Sequence, residues 1–290
     1  MKYTNKHNLP THLVNVLKQD EYDYNDNVWS ATTLNTPSRM FALKQTNKDN
    51  LEIDISDLVP TMMGTAIHSF FEKCNLDGFE QEKRLFYEID GQKISGKFDL
   101  LRSIGNDVFR LYDIKTTSVW KWIYNEYDDY IKQLSIYRYL CEKNGYSVES
   151  NAVIIFVFTD WSRADSIKDP KYPQLRIMEQ NIKLMSVAET EDYIRSRIKS
   201  HQQALIDLPL CSKEDLWQDD DKFAVMKNGG VRALRVLETK EQAQDLINNH
   251  KEKDSLFIET REGQAKRCDY CNCRAVCSQY QHRIMGGYNT

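Results

Sequence analysis

No stretch of this 290-residue chain is apolar for long enough to span a bilayer, so a membrane-embedded protein is not expected. The opening residues, MKYTNKHNLPTHLVNVLKQD, lack the apolar block of a secretory signal, and a cytoplasmic location follows as the expectation. Charge of one sign is also missing. Lys and Arg total 39 against 43 Asp and Glu, a net charge of -4, which argues against a protein that coats nucleic acid by charge alone. A local basic groove remains compatible with that total, because carboxylates that hold metal count against it. No recognition-helix or finger spacing occurs, so nothing points to sequence-specific readout. Internal repeats and low-complexity tracts are absent as well. What remains is 41% hydrophobic and 28% charged, the composition of a globular chain able to bury one large core and a smaller lobe.

Residues 1–50 are polar and asparagine-rich, with WSATTLNTPSRMFALKQ as a short helical element behind Ser/Thr caps. MMGTAIHSFFEKC, residues 62–74, has helical spacing, with Ile67, Phe70, Phe71 and Cys74 as its apolar face. RLFYEID, KISGKFDLL and VFRLYDIK read as three strands separated by the turns DGQ and SIGND. A helix is predicted from Glu126 to Asn144, ended near Gly145. NAVIIFVFTD then reads as a buried strand, LRIMEQNIKL as another, and Val187–Leu205 as a charged amphipathic helix. Beyond Pro209, FAVMKNGGVRALRVL suggests a hairpin, TKEQAQDLINNH a short helix, and KRCDYCNCRAVCSQY places four cysteines within ten residues.

The three-strand segment carries the chemistry. Side chains alternate along a strand, so Asp113 and Lys115 share a face while Ile114 points the other way. An antiparallel neighbour can bring Asp99 beside Asp113. Two carboxylates so placed repel unless a cation sits between them, and magnesium or manganese, which prefer oxygen ligands and activate bound water, suit the position. An exposed hairpin with Asp113 and Lys115 as a surface pair is the competing reading. His68 and Glu72 share one side of the 62–74 helix, four residues apart. A lone histidine on such a helix is ordinarily a core residue, and Glu72 and Glu88 are equally compatible with a solvated role. GQKISGKF, residues 91–98, has the spacing of a phosphate-binding loop but carries Phe98 where the magnesium-binding Ser or Thr must stand, which sets nucleotide hydrolysis aside.

The segment from residue 60 to 160 resembles the PD-(D/E)XK nuclease superfamily, and within it the RecB-like exonuclease branch. GTAIHSFFE carries His68, GKFDL carries Asp99, YDIKTT carries Asp113 and Lys115, and QLSIY carries Gln133 and Tyr137, in the family's order and spacing. The proline that often precedes the first aspartate is replaced by Phe98. The resemblance implies a restriction-endonuclease-like α/β core with a central mixed sheet flanked by helices. It implies that His68, Asp99 and Asp113, with the Ile114 carbonyl, bind Mg2+ or Mn2+. It further implies that Lys115 assists the attacking water and that Gln133 and Tyr137 position the DNA backbone or the lysine.

The cysteines add a second centre. Cys268 and Cys271 form a C-x2-C pair suited to a tetrahedral thiolate site, holding zinc or an iron–sulfur cluster; a redox pair is poorly placed here, and unligated thiols are the bland alternative. Several RecB-like exonucleases, CRISPR-associated and AddB-type, place one distant cysteine and three near the C-terminus around an iron–sulfur cluster. That resemblance implies Cys268, Cys271 and Cys277, with Cys211 as the distant partner, around a 4Fe–4S cluster, although in those relatives the distant cysteine precedes the nuclease core. Zinc on Cys268, Cys271, Cys273 and Cys277 is the alternative. Cys74 and Cys141 are expected in the core.

TTSVWKWIYNEY offers Trp120, Trp122, Tyr124 and Tyr127 with Lys121 to a single strand, or else buries those rings. Arg195, Arg197, Lys199 and His201 make the later helix basic, facing phosphate or solvent. Three domains are expected: a polar extension over 1–59, the nuclease core over 60–208, and a small cysteine-rich metal-binding lobe over 209–290. The expected function is a metal-dependent DNA exonuclease acting on single strands or duplex ends in recombination, repair or phage DNA metabolism. A recombination or single-strand-binding protein is the expected partner, and a phage-encoded chain would work in the host cytoplasm. A non-catalytic DNA-end-binding adaptor and a structural zinc protein are the alternatives.

Overall fold

The computed structural model describes residues 2–18, 27–74 and 76–285. Two compact units divide them: Tyr3–Thr36 with Ile53–Ile206, and Pro37–Glu52 with Asp207–Thr290.

The larger unit is the expected α/β core, a six-stranded mixed sheet flanked by helices. Across the sheet run Trp29–Ser30, Gln92–Gly105, Val108–Thr117, Ser147–Phe158 and Ile177–Lys183, with Phe79–Ile89 paired to Gln92–Gly105 along its other edge. The hairpin between Phe79–Ile89 and Gln92–Gly105 turns on Asp90 and Gly91, whose φ angles of 51° and 72° belong to the primed turns that match strand twist. After Val108–Thr117 the chain crosses back through the helix Asp128–Lys143, so Ser147–Phe158 returns parallel. That strand is covered on both faces, with Ala152, Val153, Ile154, Phe156 and Phe158 all buried, which explains its unbroken apolar run.

The Asp128–Lys143 helix lies close against the sheet. A side chain added at Gly96 would meet Tyr137 Cδ1 at 2.7 Å and Leu140 Cδ1 at 2.8 Å, so glycine here permits the approach. The helix Val187–Ala204 begins with a Ser186/Glu189 capping box and buries Ile194 and Ile198. Its basic residues serve mainly the fold. His201 is fully buried with Nε2 2.9 Å from the Thr33 carbonyl, Arg197 Nε donates to the Leu34 carbonyl at 2.9 Å, and Arg195 pairs with Glu191. Arg197 and His201 thereby meet carbonyls of the helix Ala31–Asn35, while Lys199 is exposed.

In the second unit an antiparallel sheet is ordered Arg235–Leu237, Lys222–Lys227, Leu256–Arg261. The helix Lys240–Asn248 buries Ala243 and Ile247 against Val225. The expected hairpin and short helix are therefore present. Pro37 splits the expected helical element into Ala31–Asn35 and Ser38–Thr46. The Ser38–Thr46 helix joins the cysteine-bearing unit, where Leu43 and Leu51 pack with Cys273. The boundary expected near residue 59 thus differs from the physical one, because this upstream segment completes the small lobe's core.

Candidate functional site

Three carboxylates stand in a row across three adjacent strands. The ladder between Gln92–Gly105 and Val108–Thr117 ends at Leu100 opposite Tyr112, so the next step sets Asp99 across from Asp113. There the strands part, and Asp99 Oδ2 accepts the Ile114 N–H at 2.7 Å in place of a ladder bond. On the other edge, Gln81 pairs with Leu100 and Lys83 with Phe98, which leaves Glu82 opposite Asp99. Glu82 has φ 49°, a left-handed conformation in mid-strand that a bulky L-residue adopts only under constraint.

His68 completes the group from the helix Val59–Lys73. Its Nδ1 lies 3.4 Å from Glu82 Oε1 and 3.5 Å from Asp99 Oδ1. One ligand atom from each of His68, Glu82 and Asp99 falls within 4.8 Å of the others. That helix buries none of its residues, and Phe70, expected on its apolar face, is 68% exposed. His68 is therefore not a packed core histidine. Glu72 and Glu88 are exposed.

Asp113 is 1% exposed. Lys115 Nζ reaches its Oδ2 at 2.7 Å as an ion pair, yet neither oxygen receives a well-directed hydrogen bond. Buried carboxylate oxygens ordinarily find donors, so these are matched to a cation. Hard oxygen donors with one imidazole fit a divalent magnesium- or manganese-type ion.

The charges are tightly linked. Burial foremost, then the Asp113 charge, push the Asp99 carboxyl up to about 7. The hydrogen bond with Glu82 raises His68 above the ordinary imidazole value, against burial. Burial would raise Glu82, but hydrogen bonds from His68 and Lys97 hold it below the usual carboxylate range. Burial pulls the Lys115 ammonium down, and the Asp113 and Asp99 carboxylates outweigh it, leaving its pKa raised.

On the Asp128–Lys143 helix, Gln133 Nε2 donates to Tyr137 Oη at 2.7 Å. Tyr137 is buried, and Gln133 partly so. Tyr130, on the same helical face, was missed by the motif reading. Its ring centroid lies 5.4 Å from Lys115 Nζ and 5.5 Å from Lys121 Nζ, linking the strand lysine to the following helix. The three-and-four spacing of residues 130, 133 and 137 was the available signal. Glu82 was also missed. Seven residues back from Ile89 and seven on from Gln92, across the Asp-Gly turn, reach Glu82 and Asp99, so hairpin register alone identifies it.

Of the four nearby aromatics, Trp122 and Tyr127 pack into the core. Trp120 and Tyr124 are more than half exposed and stack on each other, with ring centroids 5.7 Å apart.

In the second unit, Cys211, Cys268, Cys271, Cys273 and Cys277 line one cavity. Gln279 docks the distant member, accepting the Cys211 N–H at 2.8 Å and donating to its carbonyl at 3.1 Å. Burial pushes the Cys211 thiol up to about 12 and that of Cys268 up to about 11. The thiol of Cys273 donates toward the Met40 carbonyl at 3.7 Å and Asn272 Oδ1 at 3.6 Å, and its interaction with Cys271 lowers Cys271 to about 6 and raises Cys273. Cys273 is fully buried among Leu43 and Leu51, the position of a packing residue. Among the described residues no three of these sulfurs lie within 4.8 Å of one another. A tetrahedral zinc and an iron–sulfur cluster each take an all-cysteine donor set of this kind. Cys141 is buried in the core as expected.

Fold and site together define a hydrolytic nuclease class: an α/β sheet with carboxylates and a lysine where two strands part. The profile of the PD-(D/E)XK nuclease superfamily matches residues 26–278, and the chain belongs to that superfamily. No curated protein is similar enough to match it. Similar solved structures include SSO0001, at 19% identity and TM-score 0.45 over 65% of this chain and 84% of that one. A phage related exonuclease from Haemophilus somnus 129PT is 15% identical, TM-score 0.31, over 67% and 77%. A putative exonuclease from Eubacterium rectale is 15% identical, TM-score 0.26, over 65% and 67%.

Proposed function

We propose that this chain is a magnesium- or manganese-dependent DNA exonuclease of the RecB-like branch, acting on single strands or duplex ends. The observation that carries the reading is the row Glu82, Asp99 and Asp113 beneath His68, with Asp113 buried and short of donors beside Lys115. His68, Glu82, Asp99 and Asp113 would hold the ion, with the Ile114 carbonyl beside them. A divalent ion there supplies an acidified water and offsets phosphate charge. Lys115, set by Asp113 and the Tyr130 ring, orients the water and faces the charge that develops on the phosphate oxygens. Gln133 and Tyr137 hold each other at fixed separation and support the strand that carries Asp99. The exposed Trp120–Tyr124 pair is suited to stack on an unpaired base.

In the same reading Cys211, Cys268, Cys271 and Cys277 hold a 4Fe–4S cluster that braces the small lobe. The protein would serve recombination, repair or phage DNA metabolism in the cytoplasm, beside a recombination or single-strand-binding partner.

End-labelled single- and double-stranded DNA, incubated with anaerobically purified protein with and without Mn2+, tests this. Stepwise release of nucleotides only with metal is expected, and Asp113→Ala or Lys115→Ala should lower the rate at least ~100-fold with the fold retained. Full activity in folded Asp113→Ala protein would refute the assignment.

A further inference from the structure

Arg39 is 3% exposed, a guanidinium folded away from water in the cysteine-bearing unit. Its Nε donates to Cys277 Sγ at 3.3 Å, Nη1 to the Pro209 carbonyl at 2.8 Å, and Nη2 to Ser278 Oγ at 2.9 Å. None of these partners is a carboxylate. Burying a cation is costly unless an anion meets it, and neutral acceptors supply only part of the lost hydration. Arg39 lines the same cavity as Cys211, Cys268, Cys271 and Cys277, and the side chain it touches there is a sulfur. Asp215 lines the cavity as well but makes no ion pair with Arg39 among the described residues, so the nearest source of negative charge is the sulfur that Arg39 touches. Neutral thiols would leave the guanidinium with no anion in hydrogen-bond contact. Thiolates bound to a metal group supply the charge and make N–H···S bonds of the kind Nε is aimed to form.

We propose that Arg39 is the counter-cation of the cysteine-bound group: it positions Cys277 and offsets the charge on the sulfur donors, so that the group is retained. This rests on the reading of the four cysteines as ligands. The residue comes from Ser38–Thr46, far from the cysteines in sequence, and the three-pronged hold on Pro209, Cys277 and Ser278 fixes the guanidinium without help from solvent. Arg39 is a positioning residue here and touches no substrate.

The full chain, purified anaerobically, is assayed for iron, zinc and sulfide, then challenged with excess EDTA while metal release is followed. Wild type is compared with Arg39→Met and Arg39→Lys. Arg39→Met is expected to release metal at least tenfold faster. Arg39→Lys, which keeps the charge but lacks the Nε–H that reaches Cys277, should fall between the two, at least threefold faster than wild type. A wild-type release rate in folded Arg39→Met overturns the proposal. Should that variant not fold, Arg39→Lys decides, and a wild-type rate there overturns it. Wild-type protein with neither iron nor zinc defeats the cysteine-ligand reading and the Arg39 role with it. Metal-loaded wild type whose variants release at an unchanged rate defeats the Arg39 role alone. Partial rescue by lysine separates a charge effect from simple loss of packing.

Discussion

Glu82→Asn separates strain from function at the candidate metal site. In the folded chain Glu82 sits at φ 49°, and a left-handed backbone costs an ordinary L-residue about 1–2 kcal/mol. Asparagine tolerates that region, so the substitution relieves part of this. It also removes a carboxylate that pairs with Lys97 and with His68. Lys97 is 42% exposed and regains water, so its loss of a partner costs well under ~1 kcal/mol. The two effects oppose, and net stability by denaturant unfolding should move by less than about 1 kcal/mol. Metal binding should not be spared. Losing one of the three donors that lie within 4.8 Å is expected to weaken Mn2+ at least ~tenfold, or about 1.4 kcal/mol, by calorimetric titration. The imidazole gives a second reading. Its raised pKa owes most to the Glu82 hydrogen bond, so the His68 NMR titration should shift to lower pH in the variant. Unchanged Mn2+ affinity together with an unchanged His68 titration would sink the assignment of Glu82 to this site.

Gly96→Ala should destabilise the core unit by about 1–3 kcal/mol, read as a lowered unfolding midpoint, because the new methyl would meet Tyr137 and Leu140 inside 3 Å and both rings and methyls there are buried. No loss of stability would mean the helix is not seated as described. Mn2+ affinity should rise with pH, steeply below 7 and levelling above about 8. The sign follows from Asp99, pushed up to about 7, and from raised His68: both must shed protons to accept a cation, so acid competes with metal. Trp120→Ala should raise KM for single-stranded DNA by about fivefold or more with kcat little changed, since one base–aromatic stack is worth ~1–3 kcal/mol; equal KM values would remove Trp120 from the substrate path.

The strand chemistry was largely legible. VFRLYDIK and KISGKFDLL show their alternation, the Asp90–Gly91 turn sets the register, and that register puts Asp99 against both Glu82 and Asp113. Glu82 itself escaped notice because its neighbourhood, FEQEKR, carries no motif, and a left-handed residue in mid-strand has no compositional signal. Gln133 and Tyr137 entered only through the family resemblance, because four-residue spacing on a helix does not tell a site pair from a packing pair. The basic helix misled in the other direction: a cation on a helix reads as solvated or phosphate-facing, whereas Arg197 and His201 are spent on carbonyls more than 160 positions earlier in the chain. The small lobe was legible in its cysteines, its hairpin and its short helix, but not in the segment that completes its core. Nothing local to Ser38–Thr46 announces that it will pack on Cys273 or reach Cys277.

That last contact spans 238 positions, and it governs the order of events during synthesis. At ~5–20 residues per second, Arg39, Leu43 and Leu51 leave the ribosome roughly ten to fifty seconds before Cys273 and Cys277 exist to receive them. Through that interval the sheet between them can complete its own pairing, while the early helix waits with its apolar side bare and its guanidinium still hydrated. Assembly of the lobe is therefore tied to synthesis of the 268–278 segment, and a chain stopped before Cys271 would keep the waiting segment with nothing to close on.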